Sequence, residues 1–223
     1  MENQLNLSNI NEFLSTLLAY NSKIFPAYYD SEVRSKTEHL SKKFGTNIFI
    51  ETGSFDGRNV TIVDKMDLYD CIHTVELQDS MYNNFVLPNT KNCKKVKCHL
   101  GNSAELLDQI LSNLSKEDRC VVFLDAHGFQ LPLVTELKLI AKYCAEKPPV
   151  IIIHDFFVPS ESDPNRPKFP NLVIDDNNVV VKFDYIESYV NQIYGNNNYV
   201  VEYSTRSDLP DGGTGALYLY PKV

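Results

Sequence analysis

The segment Asn47–Gly57, with the sequence NIFIETGSFDG, constrains the fold of this 223-residue chain more than any other. Its first part, Ile48–Ile50, is an apolar run of the length that a buried strand needs, and it stops at Glu51. The chain then turns through Gly53, and helical spacing follows over Asn59–Met66. A strand, a glycine turn and a helix form the first unit of an open α/β sheet, where ligands bind at the carboxyl ends of the strands.

The residues of this turn indicate which ligand it accepts. A dinucleotide turn carries G-x-G-x-x-G and holds a pyrophosphate at the helix N-terminus. Here only Gly53 and Gly57 are present, and Phe55 between them would crowd a backbone that must approach a phosphate closely. Glu51 and Asp56 would repel a phosphate, whereas they suit an ammonium and a sulfonium. The turn therefore favours S-adenosylmethionine (SAM) over a nicotinamide cofactor, and a tight turn without a ligand stays open as an alternative.

The second predicted strand adds an acidic residue at the expected place. Cys71–Val75 is rich in strand-forming residues and ends at Glu76. An acid about 20 positions after a glycine turn lies at the tip of the neighbouring strand, where a carboxylate can accept both ribose hydroxyls. Glu76 is therefore predicted to bind the ribose of the cofactor.

Further strands complete a sheet. Apolar or alternating runs predict strands at Val96–Leu100, Cys120–Leu124 and Val150–Ile153. The C-terminal runs Tyr199–Tyr203 and Ala216–Tyr220 predict a closing antiparallel hairpin. The fold class is thus α/β: a Rossmann-like, doubly wound, seven-stranded and mostly parallel sheet with a C-terminal antiparallel hairpin and an N-terminal helical extension.

Helices and one long loop separate these strands. Helices are predicted near Ser80–Phe85, ended by Pro88, and at residues 104–114 and Phe183–Tyr194. Residues 156–182 are irregular and rich in Pro, Asp and Asn. A loop of this length directly after a central strand is predicted to form a lid or a wall of the substrate site.

Two amphipathic helices precede the sheet. Apolar residues recur at helical spacing over residues 10–18 and again over Ser31–Phe44, and Gly45 ends the second helix. We therefore divide the chain into an N-terminal helical extension, residues 1–44, and a ligand-binding domain, residues 45–223.

Composition excludes several classes of protein. The formal net charge of −8 disfavours nonspecific attraction to nucleic acid or to an anionic membrane. The five cysteines are odd in number and no C-x-x-C occurs, which predicts reduced thiols in a cytoplasmic protein. Neither a signal-peptide pattern nor an apolar run long enough for a membrane span is present.

From about Gly45 to the C-terminus, the sequence resembles a class I SAM-dependent methyltransferase. It is most similar to the small-molecule and sugar O-methyltransferases of the macrocin type, and more distantly to the catechol type. The segments that carry the resemblance, in family order and spacing, are ETGSFDG (51–57), VEL (75–77), GNSAELL (101–107), FLDAH (123–127) and IIIHDF (151–156).

The resemblance implies a set of cofactor-binding positions. The family often has Gly-Asp-Ala or Gly-Asp-Ser after the third strand, where this chain has Asn102, which can hydrogen-bond adenine without a charge. Asn102 and Ser103 are also suited simply to begin a helix. The implied positions are Glu51, Thr52, Gly53, Ser54, Gly57, Glu76, Leu77, Asn102, Ser103 and Asp125.

Four side chains that can do chemistry follow the fourth and fifth strands: Asp125, His127, His154 and Asp155. Neighbouring parallel strands bring such residues together beside the transferable methyl group. His154 and His127 are the candidate general bases, with Asp125 as the third candidate catalytic residue. The resemblance also implies a divalent cation such as Mg²⁺, held by Asp125, His154 and Asp155.

This chain departs from the metal-dependent families at two positions. His154 stands where the family has a carboxylate, and Gly128 stands where the catechol branch has a lysine. Both departures weaken the cation hypothesis and favour a histidine base.

The function predicted from these features is SAM-dependent O-methylation of a hydroxyl on a sugar or small metabolite. The alternatives are a non-catalytic module that binds SAM or a nucleotide, and an NAD-dependent oxidoreductase. The expected partners are the acceptor and, through the N-terminal helices, a second copy of the chain.

Overall fold

One mixed β-sheet runs through the computed structural model of the protein. Its strands are β1 (Ile48–Thr52), β2 (Cys71–Glu76), β3 (Val96–Leu100), β4 (Cys120–Leu124), β5 (Val150–His154), β6 (Tyr199–Tyr203) and β7 (Ala216–Pro221). They lie in the order β3-β2-β1-β4-β5-β7-β6. The structure describes residues 27–126, 131–169, 174–175, 177–205 and 214–223.

The strand directions match the predicted fold class. β1 pairs in parallel with both β2 and β4, while β7 pairs antiparallel with β5 and β6. The predicted mostly parallel sheet with a C-terminal antiparallel hairpin is therefore confirmed, apart from the final residues of some strands. The strand order reverses between β1 and β4, which is where an open α/β sheet leaves a ligand-binding crevice.

Helices cover both faces of the sheet. The helical segments are α1 (Ser31–Phe44), α2 (Arg58–Lys65), α3 (Asp79–Met81, the π-helical turn Tyr82–Val86 and Leu87–Thr90), α4 (Ser103–Ser112), α5 (Leu133–Cys144) and α6 (Phe183–Tyr194). The helices α4, α5 and α6 bury Leu107, Leu137 and Ile186 against one face. The helices α1 and α2 bury Leu40 and Val60 against the other, which gives a three-layer core.

The N-terminal helix α1 joins the same core as the sheet. Asp30 caps it by accepting a hydrogen bond from the amide of Glu32, and Gly45 ends it in a left-handed conformation with φ of 60°. Val33 on this helix packs in one cluster with Phe49 of β1. The division of the chain after residue 44 stays a prediction, and the helix predicted at residues 10–18 lies outside the described residues.

Pro88 does not end the helix after β2, contrary to the prediction. The helical segment α3 continues through Pro88 to Thr90, and a π-helical turn, Tyr82–Val86, comes just before it. A π turn shifts amides to the carbonyl five residues earlier and so breaks the regular ladder. Because the ladder is already interrupted there, a residue without an N–H group costs little.

Candidate functional site

The glycine turn is held between the ends of β2 and β4. The amides of Gly53 and Ser54 both donate to the carbonyl of Val75, at 3.0 and 2.9 Å, and the amide of Asp125 donates to the carbonyl of Thr52 at 3.0 Å. Gly53 has φ of +86°, and a Cβ added there would lie 2.5 Å from the carbonyl oxygen of Asp125. The turn therefore requires glycine at this position.

The second glycine opens helix α2 beside an ion pair. Gly57 has φ of +75°, and a Cβ there would lie 3.1 Å from the Cα of Val86. Asp56 accepts from both the backbone amide and the Nε of Arg58, at 3.0 and 2.5 Å. The sequence predicts that the charge of Asp56 faces a ligand, whereas in the structure Asp56 forms an ion pair with Arg58.

Glu51 lies fully buried beneath the turn. Its carboxylate accepts from Nδ2 of Asn59 at 2.7 Å and from Oγ1 of Thr74 at 2.5 Å. The pKa of Glu51 is raised from 4.5 to about 8, and burial is the main cause. The two hydrogen bonds lower this pKa, while the nearby charges of Asp125 and Asp56 raise it by a smaller amount. Glu51 is thus mostly protonated at neutral pH, and a bound ammonium or sulfonium would favour its ionised form.

Replacing Glu51 by glutamine is expected to flatten the pH dependence of stability. Between pH 4.5 and about 8 the folded protein holds a proton that the unfolded chain has released. The contribution of this proton to the unfolding free energy is fully present below pH 4.5 and is lost as the pH rises through 8. It amounts to about 1.4 kcal/mol for each unit by which the folded and unfolded pKa values differ. Because glutamine keeps polar atoms opposite Asn59 and Thr74, Glu51→Gln should be more stable than the wild type in mild alkali.

Urea unfolding at about pH 5.5 and about pH 8.5 measures this difference. Glu146→Gln, which changes an exposed acid on the opposite edge of the sheet, is the matched control. Its unfolding free energy should depend on pH as that of the wild type does. If the unfolding free energy of Glu51→Gln changed with pH as much as that of the wild type, Glu51 would be ionised in the folded protein.

Glu76 faces the glycine turn from the end of β2. It is 6% exposed, its Oε2 accepts from the amide of Phe55 at 2.8 Å, and its Oε1 accepts from the amide of Gln78 at 2.9 Å. Burial raises the pKa of Glu76, while the backbone amides lower it. Each carboxylate oxygen has a second acceptor position, so the group can still receive ribose hydroxyls.

The neighbouring cofactor positions differ in exposure. Leu77 is 60% exposed and leaves an apolar surface that a flat ring can cover. Asn102 accepts from the amide of Ala104 at 2.9 Å and so caps helix α4, which begins at the buried Ser103. Thr52 is fully buried, and within the described part of the chain its hydroxyl has no hydrogen-bond partner. The structure places all of these at the carboxyl edge of the sheet.

A cluster of three possible metal ligands lies past β4 and β5. Nδ1 of His154 is 3.0 Å from Oδ1 of Asp125 and 3.5 Å from Oδ1 of Asp155. One donor atom from each residue lies within 4.8 Å of the other two. Adjacent ligands of one ion with bonds of about 2.1 Å lie roughly 3 Å apart, so this donor set fits a divalent cation. His127 lies outside the described residues, and its role stays a prediction.

Three residues around these side chains were missed by the sequence reasoning. Asn59 and Thr74 hold the buried carboxyl of Glu51, and Oγ1 of Thr214 lies 2.6 Å from Nε2 of His154. No sequence motif marks Asn59, Thr74 or Thr214 as part of a site. For Thr214, the one available signal is its place just before the predicted C-terminal hairpin strand, which closes the sheet. The assignments of the predicted catalytic, cofactor and metal positions remain predictions.

Comparisons with known proteins support the architecture. A scan against protein-family models and a search of curated proteins found no match. Among solved structures, an O-methyltransferase from Bacillus cereus in complex with SAH matches with a TM-score of 0.56 at 16% identity, covering 96% of this chain and 91% of that one. A candidate caffeoyl-CoA O-methyltransferase from Staphylococcus aureus matches with a TM-score of 0.57 at 13% identity, covering 95% and 91%. The O-methyltransferase TomG from Streptomyces achromogenes, in complex with SAM, matches with a TM-score of 0.55 at 14% identity, covering 82% of this chain and 77% of that one.

At these identities the likeness establishes the fold. The chain has the Rossmann-like fold of class I methyltransferases, as the sequence predicted. The activity of a protein with this fold has to be argued from its own site.

Proposed function

We propose that the protein is a SAM-dependent O-methyltransferase that acts on a hydroxyl of a sugar or small metabolite, assisted by a divalent cation. One observation carries the proposal: the glycine turn follows β1, where the strand order reverses toward β4, and the carboxylate of Glu76 at the end of β2 accepts a hydrogen bond from that turn. Two of the matching structures are complexes with SAM or SAH, which supports the same cofactor here.

In this proposal each part of the edge has a role in binding. The turn from Glu51 to Gly57 carries the methionine part of the cofactor, and Glu76 accepts the ribose hydroxyls. The exposed Leu77 covers a face of the adenine. Because the side-chain oxygen of Asn102 caps α4, its side-chain nitrogen is left to donate a hydrogen bond to the adenine. A nicotinamide cofactor fits less well because Phe55 occupies the position of a dinucleotide glycine.

Methyl transfer needs an aligned and activated acceptor oxygen. A lone pair of that oxygen forms a bond to the methyl carbon, the carbon–sulfur bond breaks with its electron pair going to sulfur, and the oxygen loses its proton. A cation held by Asp125, His154 and Asp155 would orient the hydroxyl and lower its pKa, so that its proton could pass to water. Without it, His154 or His127 would take the proton, as the sequence predicted.

The loop after β5 supports a small acceptor. Residues 156–182 follow directly from Asp155, and the described part of this loop and the start of α6 line an open cleft of about 570 Å³. This volume is in the range of small-molecule sites. The lining residues are Phe157, Asn165, Pro167, Val179, Val180, Lys182, Asp184 and Tyr185.

We place the protein in the cytoplasm, with a second copy of the chain as a proposed partner. All five cysteines are free thiols, which suits a reducing compartment. No helix of the described residues is both long and apolar enough to cross a membrane. Nucleic acid and membranes are not proposed as partners, because the net charge is −8.

Isothermal titration with S-adenosylhomocysteine, with added Mg²⁺ or Mn²⁺ or with EDTA, tests the proposal. We expect micromolar binding and, in a separate assay with SAM as the methyl donor, methyl transfer to hydroxyl acceptors in a mixed metabolite pool. Binding without turnover in any acceptor mixture would favour the non-catalytic module, and binding of NADH in place of S-adenosylhomocysteine would favour the oxidoreductase.

Replacing His154 by alanine is expected to separate cofactor binding from chemistry. Because the contacts of the ring within the described residues include Asp125, Asp155 and Thr214, which follow other strands than the glycine turn, affinity for S-adenosylhomocysteine should stay within a few-fold. Turnover should fall by about 10²–10⁴-fold, the typical loss for a general base or an orienting ligand. Wild-type turnover in this variant would remove His154 from the mechanism.

A further inference from the structure

The hydroxyl of Thr214 makes a contact that the proposed function leaves unused. Its Oγ1 lies 2.6 Å from Nε2 of His154, across 60 residues of sequence. The contact is fixed by strand pairing, because β7 runs antiparallel to β5 with Ala216 opposite His154. His154 is only 7% exposed and packs 5.8 Å from the ring of Phe123, so the imidazole has little freedom to turn away.

The two nitrogens of His154 face different partners. Nδ1 faces the carboxylates of Asp125 and Asp155, and Nε2 faces Thr214. A neutral imidazole carries one proton, so one nitrogen donates and the other accepts. With the proton on Nδ1, the ring donates to Asp125 and accepts from the Thr214 hydroxyl. With the proton on Nε2, the ring donates to Thr214, and Nδ1 offers a lone pair toward the two carboxylates.

Because a hydroxyl can either donate or accept, Thr214 supports both tautomers of His154. A cation between the carboxylates needs the second tautomer, since a protonated Nδ1 cannot be a ligand and would compete for Asp125. In protein metal sites, a hydrogen bond to the far nitrogen of a ligating histidine sets the tautomer and the ring orientation.

We propose that Thr214 is a positioning residue of the cation site: its hydroxyl accepts a hydrogen bond from Nε2–H of His154, which keeps the proton on Nε2 and leaves Nδ1 as a ligand atom between Asp125 and Asp155. This inference rests on the proposed function, because the site is the one in which a cation assists methyl transfer.

The ligand set also assigns the class of cation. One imidazole nitrogen with two carboxylates suits a first-row transition ion such as Mn²⁺, whereas Mg²⁺ prefers oxygen ligands and keeps its waters. The replacement of a family carboxylate by His154 is therefore expected to turn the preference of the site from Mg²⁺ toward Mn²⁺.

Titration of the metal-free protein with Mn²⁺, followed by the electron paramagnetic resonance signal of free Mn²⁺, tests this role without any activity assay. The wild type should bind Mn²⁺ more tightly than Mg²⁺. Thr214→Val, which keeps the shape and removes the hydroxyl, should bind Mn²⁺ about 10–100-fold more weakly. Thr214→Ser should stay within a few-fold of the wild type. Thr61→Val is the matched control, because the hydroxyl of Thr61 donates to the carbonyl of Arg58, away from the cluster.

Affinity for S-adenosylhomocysteine, measured on the same proteins, separates the outcomes. Equal Mn²⁺ affinity in wild type and Thr214→Val, with intact S-adenosylhomocysteine binding, would overturn the role of Thr214 alone. A wild type that binds S-adenosylhomocysteine but no cation would overturn both Thr214 and the cation site, and leave the cofactor in place. No binding of S-adenosylhomocysteine would instead overturn the proposed methyltransferase.

A second measurement does not depend on the folding of a variant. Long-range ¹H–¹⁵N spectra of the wild type report the tautomer of each histidine, and the diamagnetic Zn²⁺ can stand in for Mn²⁺. Protonation of His154 at Nε2 in the Zn²⁺-loaded protein is expected. Protonation at Nδ1 in that state would contradict the proposal.

Discussion

Replacing Gly53 by alanine is expected to destabilise the fold and to abolish cofactor binding. The residue has φ of +86°, which costs a residue with a Cβ about 1–2 kcal/mol. The new Cβ would also lie 2.5 Å from the carbonyl oxygen of Asp125, 2.7 Å from its carbonyl carbon and 2.9 Å from the amide of Ala126. Because all three atoms are backbone, no side-chain rotation relieves the clash, and β1 would have to move away from β4.

We expect Gly53→Ala to lose roughly 3 kcal/mol or more of unfolding free energy, as the sum of strain and overpacking. Gly45→Ala is the matched control, because Gly45 also has a left-handed φ of +60° but nothing lies within 4 Å of its added Cβ. Urea unfolding and titration with S-adenosylhomocysteine measure both variants. Equal losses in the two variants would mean that the close approach of the turn to Asp125 has no energetic weight.

Replacing Glu76 by alanine is expected to weaken binding of S-adenosylhomocysteine by about 10–100-fold, or 1–3 kcal/mol for lost bonds to a charged group. The carboxylate would accept the ribose hydroxyls, and it also accepts from the amides of Phe55 and Gln78. Alanine removes the ligand contact and leaves both amides without this acceptor, so the turn itself loosens. Glutamine keeps one oxygen and should lie between alanine and the wild type.

Isothermal titration of Glu76→Ala and Glu76→Gln measures these effects. Glu146→Ala removes an exposed acid and should bind as the wild type does, which controls for the change in net charge. If Glu76→Ala bound with unchanged affinity, Glu76 would serve only to hold the turn, and the ribose assignment would be wrong.

Much of the architecture follows from local chemistry in the sequence. Apolar runs such as Cys120–Leu124 and Val150–His154 are buried along their whole length, because a parallel sheet is covered on both faces. The glycine turn followed about 20 residues later by Glu76 is equally local in origin, since strand length and crossover length fix that spacing. These signals predict the sheet and its hairpin, which the structure confirms, and the edge at which we propose that a ligand binds.

The state of the side chains at that edge was decided by tertiary structure. From the sequence, Glu51 and Asp56 are expected to be charges that face a ligand, but burial raises the pKa of Glu51 to about 8 and Arg58 pairs with Asp56. Burial depends on which helices cover the strand, and no local pattern encodes the degree of desolvation.

The same holds for contacts between distant segments. From the local sequence, Pro88 is predicted to end the helix, yet helix α3 continues through it after a π-helical turn. His154 reads locally as a base or a ligand, and its partner Thr214 is brought to it only by the pairing of β5 with β7. The sequence by itself therefore determined the strands, the sheet and the edge that carries the proposed site, because these depend on periodicity and spacing. Only the tertiary structure decided protonation and side-chain partners, because these depend on what the folded chain places next to each group.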